Sequence, residues 1–129
     1  MANDLRSSAP GEFGATRLVA ATIGFAQPSV ALDTLAAGDV VVQCWAEVLT
    51  AFNAGTTNVL TVGDGTTGNK YLTSSDVTEG TPGVYPTGGR GPFAAESAAG
   101  SLTASFAQTG TAATTGSARV YALITSAAV

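Results

Sequence analysis

Apolar residues recur at every second position over several stretches of this chain. The stretch 40–52 is the clearest, with apolar side chains at nearly every even position: Val40, Val42, Cys44, Ala46, Val48 and Phe52. The odd positions are mixed and include Gln43, Trp45 and Glu47. Because a β-strand places successive side chains on opposite faces, this pattern predicts a strand with one buried and one mixed face.

Four further stretches alternate in the same way, and each predicts a strand: residues 17–25, 58–62, 102–108 and 118–126. The side chains expected on their core sides are Val19, Ala21, Ile23, Phe25, Leu60, Val62, Leu102, Ala104, Phe106, Ala118, Val120, Ala122 and Ile124. Shorter strands are predicted at residues 70–73, 83–85 and 91–95. Residues 29–37 predict either a short helix or a loop that places Leu32 and Leu35 in the core.

Gly and Pro separate these stretches. Residues 53–56 form a connection of hairpin length, residues 63–69 a compact turn, and residues 109–116 a link between the last two strands. Residues 78–92, which contain three prolines and five glycines, predict a long extended loop. Short strands separated by such turns predict an all-β fold, either a β-sandwich or a jelly roll of about eight strands.

The length of 129 residues suits one domain. Residues 1–15 lack the alternating pattern, so we expect a flexible N-terminal arm there and a β-sandwich domain over residues 16–129. These first residues also lack the apolar run of a secretory signal. The longest apolar stretch, residues 40–49, is interrupted by polar residues and is shorter than the ~20 residues of a membrane-spanning helix, so no membrane association is predicted.

Charged residues make up 11% of the chain, whereas an average domain has about 25%. The five basic residues are scattered and the net charge is −4, so the chain has no basic patch for nucleic acid. A surface with few charges and many Ala, Thr and Gly residues is only weakly protected against association. This composition favours a protein that packs against copies of itself or against another protein.

Catalytic chemistry has few candidates in this sequence. The chain has no histidine and one cysteine, Cys44, which lies in an apolar stretch and is predicted to be a core residue. The carboxylates available for acid–base work are Asp33, Asp39, Glu47, Asp64, Asp76, Glu79 and Glu96. Calcium binding by residues 63–69 stays open, although the EF-hand pattern is missing. We predict no enzyme activity, no catalytic or metal-binding residues and no cofactor.

Aromatic and charged residues on two predicted strands offer a different kind of site. Trp45 and Glu47 share one strand face, Arg119 and Tyr121 share another, and the two strands could present them on a single semi-polar surface. Trp, Tyr and Arg are enriched at protein interfaces. Two alternatives are a sugar platform that also uses Tyr71 and Tyr85, and a second hydrophobic core. The complete set of predicted interface residues is Arg17, Trp45, Glu47, Tyr85, Arg90, Arg119 and Tyr121.

Three segments of the sequence carry a family resemblance: LAAGDVV at residues 35–41, TAFNAGTTNVLTVG at residues 50–63 and GTAATTGSARVY at residues 110–121. Over about residues 15–126 the chain resembles small virion proteins of tailed phages, and the last segment resembles their last hairpin. Such proteins are similar to jelly-roll decoration (cement) proteins, which have no catalytic residues to carry over.

This resemblance implies a capsid decoration protein on the outer surface of the virion. The implied partners are the major capsid protein and further copies of this chain, in a homodimer or homotrimer. Two other functions stay open: a carbohydrate-binding module on a phage surface or tail, and another virion part such as a tail or head–tail connector protein.

Overall fold

The computed structural model describes residues 16–126, and these form seven β-strands and no helix. The strands are β1 (Thr16–Gly24), β2 (Ser29–Leu35), β3 (Val40–Thr50), β4 (Thr57–Gly63), β5 (Gly83–Pro86), β6 (Gly100–Thr109) and β7 (Ser117–Thr125). This confirms the predicted all-β fold. The predicted N-terminal arm, residues 1–15, lies outside the described residues. Over the described residues, no helix has the length and apolar character needed to cross a membrane.

The strands form two antiparallel sheets that pack as a sandwich. One sheet has four strands in the order β1-β7-β3-β5, and the other has three in the order β2-β6-β4. The pairing is nested along the chain, because β1 pairs with β7, β2 with β6 and β3 with β5. β4 pairs with β6, and an isolated bridge joins Val62 of β4 to Leu72. Successive pairs of this nested set therefore alternate between the four-stranded and the three-stranded sheet.

The helix considered for residues 29–37 is wrong, because this segment contains β2. The strand has a β-bulge between Ala31 and Asp33. A bulge adds one residue and breaks the period of two. Leu32 and Leu35 consequently reach the core at a spacing of three, which is also the spacing on one face of a helix.

The shorter predicted strands have different outcomes. Residues 83–85 lie in β5, as predicted. Residues 70–73 contribute only the single bridge at Leu72, and residues 91–95 form no strand. The latter segment still runs beside the start of β3, where the Phe93 amide donates to the Val41 carbonyl over 3.0 Å. The fold therefore has seven strands over the described residues instead of about eight.

Two connections predicted from Gly-rich segments join strands of different sheets. Residues 53–56 lead from β3 to β4, and residues 109–116 lead from β6 to β7, so neither is a hairpin. Gly116 has φ 140°, and a Cβ there would overlap the Phe52 ring. Glycine is thus required where this crossover passes the edge of the core.

The core lies between the two sheets and is built from the predicted alternating positions. The predicted core side chains of β4, β6 and β7, such as Leu60, Leu102 and Val120, are almost inaccessible to solvent. In the first predicted stretch only Ile23 is fully buried, and Val19, Ala21 and Phe25 are partly buried. In β3, a bulge at Val42 shifts the alternation, so Val41 rather than Val42 enters the core. Cys44 is fully buried, and burial raises the pKa of its thiol to about 12.

Candidate interaction surface

The outer face of the four-stranded sheet brings together four of the predicted interface residues. In β3 and β7, the central strands of this sheet, Trp45 lies directly opposite Tyr121 and Glu47 lies opposite Arg119. The neighbouring positions Cys44, Ala46, Val120 and Ala122 are fully buried on the inner side. Because side chains alternate between the faces, all four predicted residues point away from the core.

Trp45 and Tyr121 form an aromatic pair on this outer face. Their ring centroids are 5.3 Å apart and the rings are inclined by only 13°, so the two rings stack. Both side chains are only partly buried. Such a cross-strand pair stabilises the sheet by about 0.5–1.5 kcal/mol beyond its buried area. Part of each side chain remains in contact with solvent.

Exposed apolar side chains surround this pair. In the described part of the chain, the large hydrophobic residues that are clearly exposed are Leu18 (58%), Leu49 (46%) and Val84 (62%), and all three belong to strands of this sheet. Ala20 lies beside Tyr121, and Pro86 lies beside Trp45. The pair therefore shares the outer face of β1, β7, β3 and β5 with exposed apolar residues, and we call this outer face the aromatic face. Monomeric proteins rarely expose a large apolar patch unless it binds something.

One carboxylate and one guanidinium complete the aromatic face. Arg119 is exposed and Glu47 is partly exposed, and they are direct cross-strand neighbours. Within residues 16–126 neither takes part in an ion pair, whereas Arg17, Lys70 and Arg90 all do. The aromatic face thus carries one charge of each sign next to its aromatic pair.

The outer face of the three-stranded sheet has a different chemistry. Its outward positions on β2, β6 and β4 alternate with the buried ones and carry small residues: Ser29, Ala31, Thr57, Val59, Thr61, Ser101, Thr103, Ser105 and Ala107. No aromatic or charged residue is among these positions. We call this surface the hydroxyl face.

Arg17 lies away from the aromatic face, at one end of the sandwich. Its guanidinium donates to Asp33 Oδ2 over 2.7 Å, to Ser126 Oγ over 3.1 Å, to the Thr34 carbonyl over 3.1 Å and to Asp39 Oδ2 over 3.4 Å. The hydrogen bond to Asp33 raises the pKa of Arg17. Arg17 therefore links β1 to β2, to the β2–β3 turn and to the residue after β7. Its interface role stays a prediction.

Tyr85 and Arg90 also lie apart from the aromatic face. Tyr85 packs against the core from the inner side of β5, and its hydroxyl donates to the Thr81 carbonyl over 2.6 Å. Arg90 lies in the loop after β5, where its guanidinium pairs with Asp76 and sits 5.9 Å from the centroid of the Phe93 ring. Both side chains hold the long connection in place, and their interface role stays a prediction.

A largely buried polar cluster holds together the two ends of the connection between β4 and β6. Lys70 Nζ lies 2.6 Å from Glu96 Oε2 and 3.4 Å from Asp64 Oδ2. Tyr71 is completely buried, so it cannot take part in a surface sugar platform, and its hydroxyl donates to the same Glu96 oxygen. Burial and the Glu96 carboxylate raise the pKa of Tyr71. These four residues join the turn after β4 to the segment before β6.

The remaining carboxylates hold turns and loops together. Asp64 accepts hydrogen bonds from the amides of Thr66 and Thr67; burial raises its pKa, but these bonds and Lys70 outweigh it and hold the pKa below the usual value. Glu79 accepts from the Leu60 amide over 2.9 Å, and burial raises its pKa. Within residues 16–126, no group of three or more His, Cys, Asp or Glu side chains is placed to hold a metal ion.

The sequence pattern located the centre of the aromatic face but missed its rim. Trp45, Glu47, Arg119 and Tyr121 followed from alternation in β3 and β7. Leu18, Val84 and Pro86 were missed, because an outward apolar residue on an edge strand looks like any other member of an alternating stretch. The signal that would identify these rim residues is the pairing of β1 with β7 and of β5 with β3, and a single sequence does not contain it.

No protein-family model matches this sequence, and no curated protein matches it. Solved structures that contain chains with a similar fold include two phage capsids. One is a chain of the cyanophage Pam1 capsid asymmetric unit, with 20% identity, a TM-score of 0.59 and coverage of 97% of both chains. The other belongs to the acidic stable capsid structure of Helicobacter pylori bacteriophage KHP30, with 19% identity, a TM-score of 0.66, and coverage of 88% of this chain and 90% of that one. At these identities the likeness establishes a shared β-sandwich fold over nearly the whole chain.

Proposed function

We propose that this chain is a structural protein of a tailed-phage head, one that binds the outer surface of the assembled shell and stabilises contacts between major capsid subunits. The observation that carries the proposal is the likeness in fold to chains of two phage capsid structures over about nine-tenths or more of each chain. The nested strand pairing, with Leu72 bridged at the β4 edge, further supports the jelly-roll type of decoration protein.

The aromatic face supports an assembly role over a catalytic one. It combines a stacked Trp–Tyr pair with exposed apolar residues, and aromatic residues and arginine dominate binding energy at protein interfaces. Other carboxylates of the described chain hold strands, turns and loops in place, as the Asp33, Asp64, Asp76, Glu79 and Glu96 contacts illustrate. The side chains suited to chemistry are therefore engaged in structure.

The proposed mechanism is thermodynamic. A protein that binds the assembled shell, but not its separated subunits, lowers the free energy of the assembled state. On a symmetric shell the same contact repeats many times, so a modest free energy at each site adds up over the particle. The protein needs a rigid body for this role, and the ion pairs of Lys70 with Asp64 and Glu96 hold the two ends of the connection between β4 and β6 together.

Reconstitution tests this proposal. Shells that lack the protein are heated with and without added purified protein, and release of the packaged DNA is followed by fluorescence of an intercalating dye. We expect added protein to bind the shells and to raise the temperature of release. Failure to bind, or binding with an unchanged release temperature, would contradict the proposal.

Sugar binding is the second candidate, since the aromatic pair lies on an outer face and is partly accessible to solvent. The geometry weighs against it: each ring uses one face to stack on the other, whereas a sugar platform presents ring faces to the ligand. Glycan-array binding that disappears on Trp45→Ala would favour this candidate over shell binding. Localisation of the protein to a tail or connector by electron microscopy would instead favour another virion part.

A further inference from the structure

We propose that two copies of this chain pair through their aromatic faces across a two-fold axis. The axis lies in the interface between the two sheets, parallel to the strands and above the gap between β3 and β7. This inference rests on the proposed function for the premise that the aromatic face is an interaction surface, and it names the partner of that face. Three observations support it: the row order of side chains, the charges and the available area.

The side chains of the aromatic face form rows across the four strands. One row runs Ala20, Tyr121, Trp45 and Pro86 from β1 to β5, and the next row runs Thr22, Arg119, Glu47 and Val84. β7 and β3 are the two middle strands of the sheet. The proposed axis therefore passes through the middle of each row.

Rotation about this axis places each β7 side chain against a β3 side chain of the partner. Tyr121 then meets Trp45 of the second copy, and Arg119 meets its Glu47. In the same operation the β1 edge of one copy covers the β5 edge of the other, where Val84 is exposed. A two-fold interface requires this reciprocal matching, in which a residue and its counterpart exchange roles.

Charge complementarity favours a second copy over a strongly charged partner. The aromatic face carries one acidic and one basic side chain and is therefore neutral, although the chain has a net charge of −4. Like charges facing each other would oppose the contact, whereas this rotation places opposite charges together at two equivalent positions. The hydroxyl face offers no such pattern.

The area suits a weak, reversible dimer. With strands about 4.8 Å apart and about 3.4 Å of rise per residue, seven residues on each of β1, β7 and β3 and the four residues of β5 cover roughly 400 Å². Two such faces bury about 800 Å², which is in the range of weak, transient interfaces. Sheets that pack face to face with roughly aligned strands lie about 10 Å apart, which leaves room for interdigitated aromatic side chains.

Charge exchange between Glu47 and Arg119 tests this geometry with the purified protein in sedimentation velocity experiments. We expect the unmodified protein to form dimers, and Glu47→Arg or Arg119→Glu alone to weaken dimerisation at least ~10-fold, because each change creates two like-charge contacts. An equimolar mixture of the two single variants should regain dimers, since the arginine introduced at position 47 of one copy then meets the glutamate introduced at position 119 of the other. The double variant should also dimerise.

Thr103→Glu on the hydroxyl face is the matched control and should leave dimerisation unchanged. Circular dichroism and melting curves verify that each variant is folded, and Trp45→Ala provides a second, uncharged disruption. A monomeric unmodified protein, a trimer as the smallest oligomer, or a mixture that stays monomeric would overturn the inference. Because no shells are present, such a failure is separate from a failure of shell binding, which the reconstitution experiment measures.

Discussion

The two outer faces of this sandwich differ although the same folding pattern produces both. The aromatic face has a stacked Trp45–Tyr121 pair, exposed Leu18 and Val84, and one charge of each sign. The hydroxyl face consists of small residues, mostly Ser, Thr and Ala. Folding requires only that the inner positions be apolar, so the outer positions are free to serve other purposes. The difference fits the proposal that the aromatic face makes contacts while the hydroxyl face meets solvent.

The largest expected effect comes from the inner side of the three-stranded sheet. Phe106 is buried and packs on Phe52 with ring centroids 4.5 Å apart, whereas the next residue, Ala107, faces outward. Phe106→Ala should lower the free energy of unfolding by about 3–5 kcal/mol, because it removes buried contacts and leaves a cavity. Thr61→Ala on the hydroxyl face should change it by less than about 0.5 kcal/mol. Chemical denaturation measures both, and equal effects would contradict the assigned register.

Truncating the aromatic pair should affect association more than stability. Trp45→Ala should weaken self-association by about 2 kcal/mol, or roughly 30-fold, because central aromatic residues dominate interfaces. The loss of the cross-strand stack should cost about 1 kcal/mol in unfolding free energy. Sedimentation equilibrium and urea denaturation separate the two quantities. An unchanged dissociation constant in Trp45→Ala would remove the distinction between the faces.

Transferring the aromatic pair to the hydroxyl face is the converse experiment. Thr61 and Ser105 lie directly opposite each other on β4 and β6, so Thr61→Tyr with Ser105→Trp builds a similar cross-strand pair there. The new pair should create a second adhesive surface and produce assemblies larger than the unmodified protein forms. Light scattering against concentration measures this. Thr61→Ala with Ser105→Ala is the control, and an unaltered size in the aromatic variant would refute the expectation.

The smallest effect concerns the joint between the two sheets. The hydrogen bond from Arg17 holds the pKa of Asp33 below its ordinary value. The stabilisation by this pair is present above the unfolded pKa of about 4 and is lost as the pH falls through the lower folded pKa. Because both side chains are partly exposed, the contribution should be below about 1 kcal/mol.

The difference in unfolding free energy between the unmodified protein and Asp33→Asn should therefore shrink as the pH drops below about 4. Self-association should remain unchanged in this variant at neutral pH, since Asp33 lies outside the aromatic face. Urea denaturation at several pH values measures the first quantity. A difference that grows on acidification would contradict the assigned pairing.

Sequence periodicity was sufficient for the strands that pack fully into the core. The alternating positions of β6 and β7, from Leu102 to Phe106 and from Ala118 to Ile124, are buried as predicted. It failed at bulges, because one extra residue at Val42 moved Val41 into the core, and another in β2 imitated helical spacing. It also could not tell that residues 53–56 change sheets, since the length of a connection does not specify its direction.

The candidate surface was predictable only in part, for a related reason. Trp45 and Tyr121 face outward by local alternation, which the sequence contains. Tyr85 was also predicted to face outward. Its strand, β5, lies at the edge of the sheet, and the register of β5 against β3 places the Tyr85 ring on the inner side. Arg17 and Arg90 form ion pairs with residues distant in sequence, and such pairs depend on the tertiary fold.

Trp45 is the single tryptophan of the chain and lies at the centre of the aromatic face, so its fluorescence tests the central claim directly. Acrylamide quenching of the purified protein is measured over a dilution series. If the aromatic face is covered by a second copy, quenching will be weak and the emission blue-shifted at high concentration, and both will revert on dilution. Strong quenching and red-shifted emission at every concentration would contradict the account.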